Sequence, residues 1–502
     1  MPDQLPEALL EEFRAQVAGL RTANARLREV IEAKDAQLAA AGAALDAAEA
    51  RFAALSERVA ELERRLGKDS STSSRPPSSD SPDKKKPRDR SLRQRSGRRP
   101  GKQPGAESST LRQVSDPAER VVCAPPRCGG CGQSLAGAVA SGVQKLQVFD
   151  ITPPPPPRVT EYQVQAKVCG RCGAVTAGQP PAGITGRAQY GPEVHAQAAN
   201  LACAHHVPVA RAAQLMGDLA GVTVSAGFMA GMRSKAAARL EPFMEQARGL
   251  LRAAGVIYAD ETPARVAGAL EYVHVACTQH LTCMHTGGRS AADIDAGGVL
   301  PGYTGVIVRD GYAGYQHLAD ALHAWCGAHN LRDLRDLYTF DPDGQVWARS
   351  MADLLIHANA AATTARAAGR QHLDDAELAE ISAWYRGAVA KGITDNQGKR
   401  RQAARDGLRL ARRFRGPQDM ILRFTTDLAV GFTSNQAERD VRPVKIQQRT
   451  SGGCWRTLDG LADFAVVQSY LSSAAKWGIS KLDALRQLFT TGPWLPPAVA
   501  PP

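Results

Sequence analysis

The sequence has no run of about 18 apolar residues, the length a membrane-spanning helix needs, and its start, "MPDQLPEALLEEF", lacks a basic stretch followed by an apolar core. Both absences argue against a membrane span and a secretory leader, and the expectation is a soluble, cytoplasmic protein. Cysteine is sparse, with 10 in 502 residues, which excludes a disulfide scaffold. Acid is scarcer than base: 62 Lys+Arg against 50 Asp+Glu leave a formal charge of +12. That balance favours a polyanionic partner and says nothing about fold. The excess is uneven, because "KKKPRDRSLRQRSGRRPGK", from Lys84 to Lys102, holds ten basic residues and one acid. A chain of this length exceeds one ordinary core and divides into about two to four folded units.

What is present begins with a seven-residue period. Counting from Leu10, the a positions are Val17, Asn24, Ile31, Leu38, Leu45, Phe52, Val59 and Leu66, with Phe13, Leu20, Leu27, Leu55 and Leu62 at d. Lys34, Ala41 and Ala48 weaken the middle of the d row, and Asn24 is the kind of buried polar residue that fixes register in a two-stranded coil. The pattern predicts a dimerising coiled coil over 9–67, with an amphipathic helix folded on its own chain as the competing interpretation. From 68 to 117, Ser, Pro, Gly, Arg and Lys dominate, and the composition predicts a disordered basic linker able to attract DNA phosphates.

Two C-x-x-C pairs follow, Cys128/Cys131 and Cys169/Cys172, each trailed by glycine ("CGGCG", "CGRCG") and separated by two alternating stretches, "VQKLQVFDI" and "VTEYQVQAKV". Four thiolates on two tight turns suit a closed, tetrahedral structural Zn²⁺ site, so 118–180 is expected to be a zinc-ribbon-like module. A redox pair is the competing chemistry. The other cysteines apart from Cys326 stand alone as packing residues. Residues 181–252 are helical by pattern and contain a helix, a glycine-containing break and a second helix opened by Ser225. That is a possible helix-turn-helix for DNA, or simply two packed helices. The interval 341–430 is again helical, and no chemistry attaches to it from sequence.

The chemistry concentrates in three patches. "GVIYADETP" is a β-branched run ending at Asp260, followed by the strand-like "EYVHVAC" and "LTCMHT"; "TGVIVRDGYAGY" repeats the pattern with an apolar strand ending at Asp310. Carboxylates at the ends of adjacent strands converge in the crevice of an α/β sheet, and convergent acids repel unless a cation lies between them. In "SNQAERDVRPVK", Glu438 is the candidate third ligand from a helix, although Asn435 followed by Glu438 also reads as a capping box. Arg442 and Lys445 lie four and seven residues after Glu438, with Arg439 at the edge, so one helix face is placed to bind a metal and grip phosphates. Asp440 is expected on another face as a solvated acid, and Pro443 to bend or shorten the helix.

Together the coiled-coil start, "SSRPPSSD", "RRPGKQPG", the paired knuckles, "DET", "RDGYAGY", "CGAH", "NQAERDVRP" and "SGGCWRTLDGLADFAVVQSYLSSAAKWG" resemble a transposase of the bacterial insertion sequence 66 family. The resemblance implies a multidomain chain: an α/β RNase H-like catalytic domain over 253–480 with a helical insertion at 341–430, preceded by the coil, the zinc module and the helical domain, and a tail at 481–502. It implies that Asp260, Asp310 and Glu438 are the acidic triad of a DDE enzyme holding two Mg²⁺ ions for DNA end cleavage and strand transfer. Partners would be element ends and target DNA in the bacterial nucleoid, a second copy or more through the coil, and small accessory proteins of the element. Cys326 and His329 match a family motif whose role stays open. A regulator with an unused catalytic domain and a Mg²⁺-dependent nuclease share the same residues. Many members carry a Gly-Arg-Lys-Asn-Trp-like stretch after the acidic helix; this chain has "IQQRTSGG" instead, similar to another branch, so the better-known end specificity does not carry over.

Overall fold

The computed structural model describes residues 7–67 and 111–498. Most of the expected basic linker, 68–110, lies outside the described residues. Helix α1 (Glu7–Gly67) runs through the whole heptad segment. Its a and d side chains from Leu10 to Leu62 stand in solvent in the single chain, Phe13 at 64% exposure and Phe52 at 73%.

Beyond α1 the chain forms two compact units, one ending at Ala236 and taking in Lys481–Pro493, the other holding Ala237–Ser480. In the first, strands β1 (Ala166–Val168) and β2 (Val175–Ala177) pair antiparallel around the second C-x-x-C turn. The first alternating stretch, 143–151, forms no strand, contrary to the expectation from its pattern. Val148 and Ile151 are each 93% exposed, and among the described residues no strand pairs with this stretch. Helix α2 (Pro192–Ala199) and α3 (Val209–Ala220) follow, and α3 stops at Gly221, whose left-handed backbone (φ 67°) closes the turn. Ser225 then caps α4 (Ala226–Ala230), its hydroxyl accepting the Phe228 N–H at 3.0 Å, and α5 (Met232–Ala237) continues after an interruption at Gly231.

The second unit opens with α6 (Glu241–Arg252) and a meander of β3 (Val256–Val266), β4 (Ala269–Cys277) and β5 (Thr282–Gly287). Ala267 and Gly268, both at positive φ (48° and 89°), form the two-residue turn between β3 and β4, the geometry that matches strand twist. After α7 (Ala291–Asp295), β6 (Val306–Arg309) and β7 (Leu322–Trp325) join parallel to β3, giving the order β5-β4-β3-β6-β7. Helix α8 (Gly327–Phe340) leads into four helices, α9 (Val346–Ala367), α10 (Asp375–Asn396), α11 (Gln402–Arg415) and α12 (Gln418–Thr426), before α13 (Asn435–Thr450) and α14 (Leu458–Lys476) return to the sheet.

Two apolar cores hold this unit. Trp347, Met351, Leu355, Tyr385 and Phe414 pack the helical interval against Val306, Val308 and Ala324 of the parallel strands. Ala437, Val441 and Val444, spaced four and three along α13, pack with Val273 and Val275 of β4 and with Leu461 and Phe464 of α14. Each fully buried Val or Leu contributes about 1.5–3 kcal/mol, so α13 is fixed by its apolar face and not by its polar start. Last, α15 (Lys481–Thr490) belongs to the first unit, where Arg486 grips Glu193 of α2 at 2.8 Å. No described helix is long and apolar enough to cross a membrane.

Candidate functional site

The two aspartates are placed by strand register. β3 pairs with β6 from Val256↔Val306 to Tyr258↔Val308, and Asp260 and Asp310 each stand two residues beyond that last pair. A period of two returns them to the same face as Tyr258 and Val308, at the point where the two strands part. β3 itself does not end at Asp260, as its composition suggested, but runs on to Val266 paired with β4. What ends there is the pairing with β6, and that opening makes room for the acids.

Their sequence neighbours alternate to the opposite side. Arg309, 2% exposed, donates from Nε to Nδ1 of His323 (3.0 Å) and from Nη1 to the carbonyls of Asp310 and Tyr312 (2.8 and 2.9 Å). A buried guanidinium therefore ties down the loop carrying Asp310, whose Oδ1 accepts the Tyr312 N–H at 2.9 Å. Glu261 accepts from Arg289 Nε and Nη2 (3.0 and 2.6 Å) and from the Tyr315 hydroxyl (2.9 Å). That second acid of "DET" is fully engaged in a structural cluster.

Glu438 is not a helix cap. Ser434 flanks α13 without a side-chain cap bond, Asn435 is already helical, and the Glu438 N–H donates to the Ser434 carbonyl at 3.2 Å. The Glu438 carboxylate lies instead 3.8 Å from His329 Nε2 and 3.7 Å from Arg332 Nη2, beyond hydrogen-bond length. Its Oε1 is buried and has no hydrogen-bond partner among the described residues. That oxygen accepts no hydrogen bond, but it lies within ion-pair distance of two cationic side chains, Arg332 and His329.

The unassigned "CGAH" motif sits beneath this site. The Cys326 N–H donates to the Arg309 carbonyl (2.7 Å), the Gly327 N–H to the Phe432 carbonyl (2.8 Å), and Cys326 Sγ accepts the Ser434 N–H at 3.2 Å. The starts of α8 and α13 are thereby stitched together next to the strand end. Burial pushes the Cys326 thiol up, but the adjoining His329 and the Ser434 donors outweigh it and bring the thiol to about 7. His329 is correspondingly held at about 9 against its own desolvation by Cys326 and the nearby Glu438. Sequence alone gave the pair no role, and the strand β7 that ends directly before it was not among those the pattern predicted.

One electrostatic site results. Burial, then the charges of Glu261, Asp310 and Glu438, push the Asp260 carboxyl well above the ordinary range, with His329 acting in the opposite direction. Asp260 thus feels both Asp310 and Glu438, while Glu438 is itself met by Arg332 and His329. The carboxylates are not drawn into coordinating contact: among the described residues no group of three or more His, Cys, Asp or Glu is close enough to hold a metal ion.

The four knuckle cysteines are subject to the same finding, although each pair is preformed. Cys128 N–H donates to Gln133 O and Gly132 N–H to Cys128 O (both 2.9 Å), and the second turn repeats this with Cys169 to Ala174 (2.8 Å) and Gly173 to Cys169 (2.9 Å). Gly132 and Gly173 take φ of 74° and 72°, open to glycine and strained for other residues. Amide donors from Cys131 and Gly130 lower the Cys128 thiol, and those from Arg171 and Cys172 lower Cys169, as a thiolate ligand requires.

The expected phosphate contacts divide. Arg439 and Arg442 are exposed on α13. Lys445 is turned inward, its Nζ donating to the Pro263 carbonyl of β3, and burial lowers it to about 8. Asp440 is not a solvated acid. It is buried, accepting from Lys476 Nζ (2.6 Å), Thr282 Oγ1 (2.8 Å), Ser472 Oγ (3.1 Å) and Gln436 Nε2 (3.1 Å). Pro443 does not shorten the helix, which continues to Thr450.

Acids stand at the parting of two parallel strands of a mixed α/β sheet, and the family to which the chain matches is one of DNA-processing enzymes. The family model described as Transposase IS66 family matches residues 187–462, more than half of the chain. The chain belongs to that family of transposases. Residues 2–112 match a family of unknown function (DUF6444). The chain matches no curated protein.

Proposed function

We propose that the protein is a DDE transposase that cuts the ends of its insertion sequence and joins the freed 3′-hydroxyls to target DNA. The observation that carries this is that Asp260 and Asp310 stand where β3 and β6 part, with Glu438 close enough to help raise the Asp260 carboxyl. The strand order, an antiparallel meander joined to two parallel strands, supports an RNase H-like catalytic domain. Asp260, Asp310 and Glu438 would hold two Mg²⁺ ions, which when bound activate the attacking oxygen and stabilise the leaving oxygen of an in-line phosphoryl transfer. Arg309 holds the Asp310 loop, Cys326 and His329 hold the start of α13, and the exposed Arg439 and Arg442 contact phosphates beside the acids.

The other modules serve the same end. Exposed a and d residues on α1 are satisfied by a second copy, which would bring two element ends together. The paired knuckles take a structural Zn²⁺, and α3 with α4 offers a helix pair for the end sequence. Light scattering on the full chain is expected to give twice the 53.4 kDa monomer mass or a higher multiple; a monomer would remove the coil. Metal analysis should find about one zinc per chain, lost in Cys169→Ser. For the reaction itself, purified protein, Mg²⁺ and DNA carrying the element's ends should yield cut and joined products, abolished by a chelator and restored by added Mg²⁺. Cutting without joining would make it a nuclease, and binding with neither step a regulator.

A further inference from the structure

The helical interval between β7 and α13 carries a charged feature that the proposed chemistry does not use. "KRRQAARDGLRLARRFR", from Lys399 to Arg415, holds eight basic residues against the single acid Asp406. With the basic run at 84–102, it exceeds the chain's whole excess of +12, so the remainder of the chain is net acidic. Most of the stretch forms α11. Ala404, Gly407, Ala411 and Phe414, at steps of three and four, are its buried side, while Arg401, Arg405, Arg409 and Arg412 are exposed along the opposite side with Arg415 beside them.

A solvated helix face normally intersperses acids that pair with such cations at three and four residues' distance. Here Asp406 engages Arg409 at 2.7 Å, and Arg405 donates to the neutral Gln402 at 2.7 Å, so the row keeps its net positive charge. Complementing the helix dipole accounts for arginines in the last turn but not for those from Arg401 to Arg409. The distance from Arg405 to Arg412 is about 10 Å along the helix, a continuous row on the scale of several phosphates.

The row also leads somewhere. Near its C-terminal end Arg413 bonds Asp333 of α8 at 2.6 Å, and its guanidinium lies 5.8 Å from the Trp325 ring. Trp325 is the last residue of β7, directly before Cys326, and a Cβ on Gly311 would meet its ring at 3.8 Å. Gly311 follows Asp310. Arg413, on the same helix as the row, is thereby linked through Trp325 to the residue that follows Asp310.

We infer that the exposed face of α11 is a phosphate track on which duplex DNA flanking the reacting bond is held. Its destination rests on the proposed catalytic site; its binding does not. The test is the salt dependence of binding of a random-sequence DNA duplex to full-length protein, compared with the variant Arg405→Gln/Arg412→Gln/Arg415→Gln. The slope of log affinity against log salt should become shallower by about 2.7, three contacts at about 0.9 each, with an unchanged circular-dichroism melt. An unchanged slope overturns the track, including the case in which the substitutions weaken only the binding of an acidic polypeptide such as polyglutamate. A shallower slope in a protein that cuts equally well with Glu438→Gln leaves the track standing and removes the triad instead.

Discussion

Asp310→Asn is expected to lower DNA end cleavage by about 10³-fold, the scale of losing one preorganised charge from a phosphoryl-transfer site, while the protein melts at the same or a higher temperature. The two halves of that result come from one cause. Asn keeps the shape and the acceptor for the Tyr312 N–H, so the loop held by Arg309 is undisturbed. It also removes one of the charges that raise Asp260, relieving repulsion between buried acids. A structural aspartate would behave in the opposite way, losing stability with little change in cleavage. Cleavage kinetics and a thermal melt on the same preparation separate the two, and unaltered cleavage would remove Asp310 from the triad.

Lys476→Met is expected to destabilise the catalytic unit by about 3–5 kcal/mol, because it leaves the Asp440 carboxylate buried without its cation. Lys476 Nζ also donates to the Thr278 and Leu281 carbonyls (both 2.8 Å), so one ammonium joins α14, the turn between β4 and β5, and α13. The double variant Lys476→Met/Asp440→Leu should recover most of the loss, as buried pairs replaced by apolar residues of similar size usually do. Denaturant unfolding of the single and double variants measures this; equal destabilisation in both would mean that packing, not charge, explains the loss. The effect reaches function because Asp440 is two residues from Glu438 on the same helix.

Much of this was legible in the sequence, for physical reasons that differ residue by residue. Asp310 was readable because "GVIVRDGY" ends an apolar strand in a glycine turn, a local signal. Asp260 was readable as a strand residue but not as a mid-strand one, since only the partner strand's register shows where pairing stops. The placement of Glu438 against His329 and Arg332 could not be read, because residues 109 and 106 positions apart meet only in the folded chain. The capping-box motif misled for the same reason: Val441 and Val444 fix the helix through the core, and the side chain of Glu438 lies against His329 and Arg332 instead of the helix start. Lys445 and Asp440 were misread because helix spacing gives a direction and not a depth. The 143–151 stretch shows the limit of alternation, which marks a strand only where another strand is there to pair with it.

The most direct measurement of the central claim is strand transfer by the purified protein with Mg²⁺ and DNA bearing the element's ends, wild type against Glu438→Gln. The triad predicts that joined products disappear in the variant while its fold and DNA binding stay intact, because the amide keeps the shape and loses the charge. Equal joining by both proteins would contradict it and leave Glu438 an ordinary helix acid, with the third ligand to be sought among the other acids.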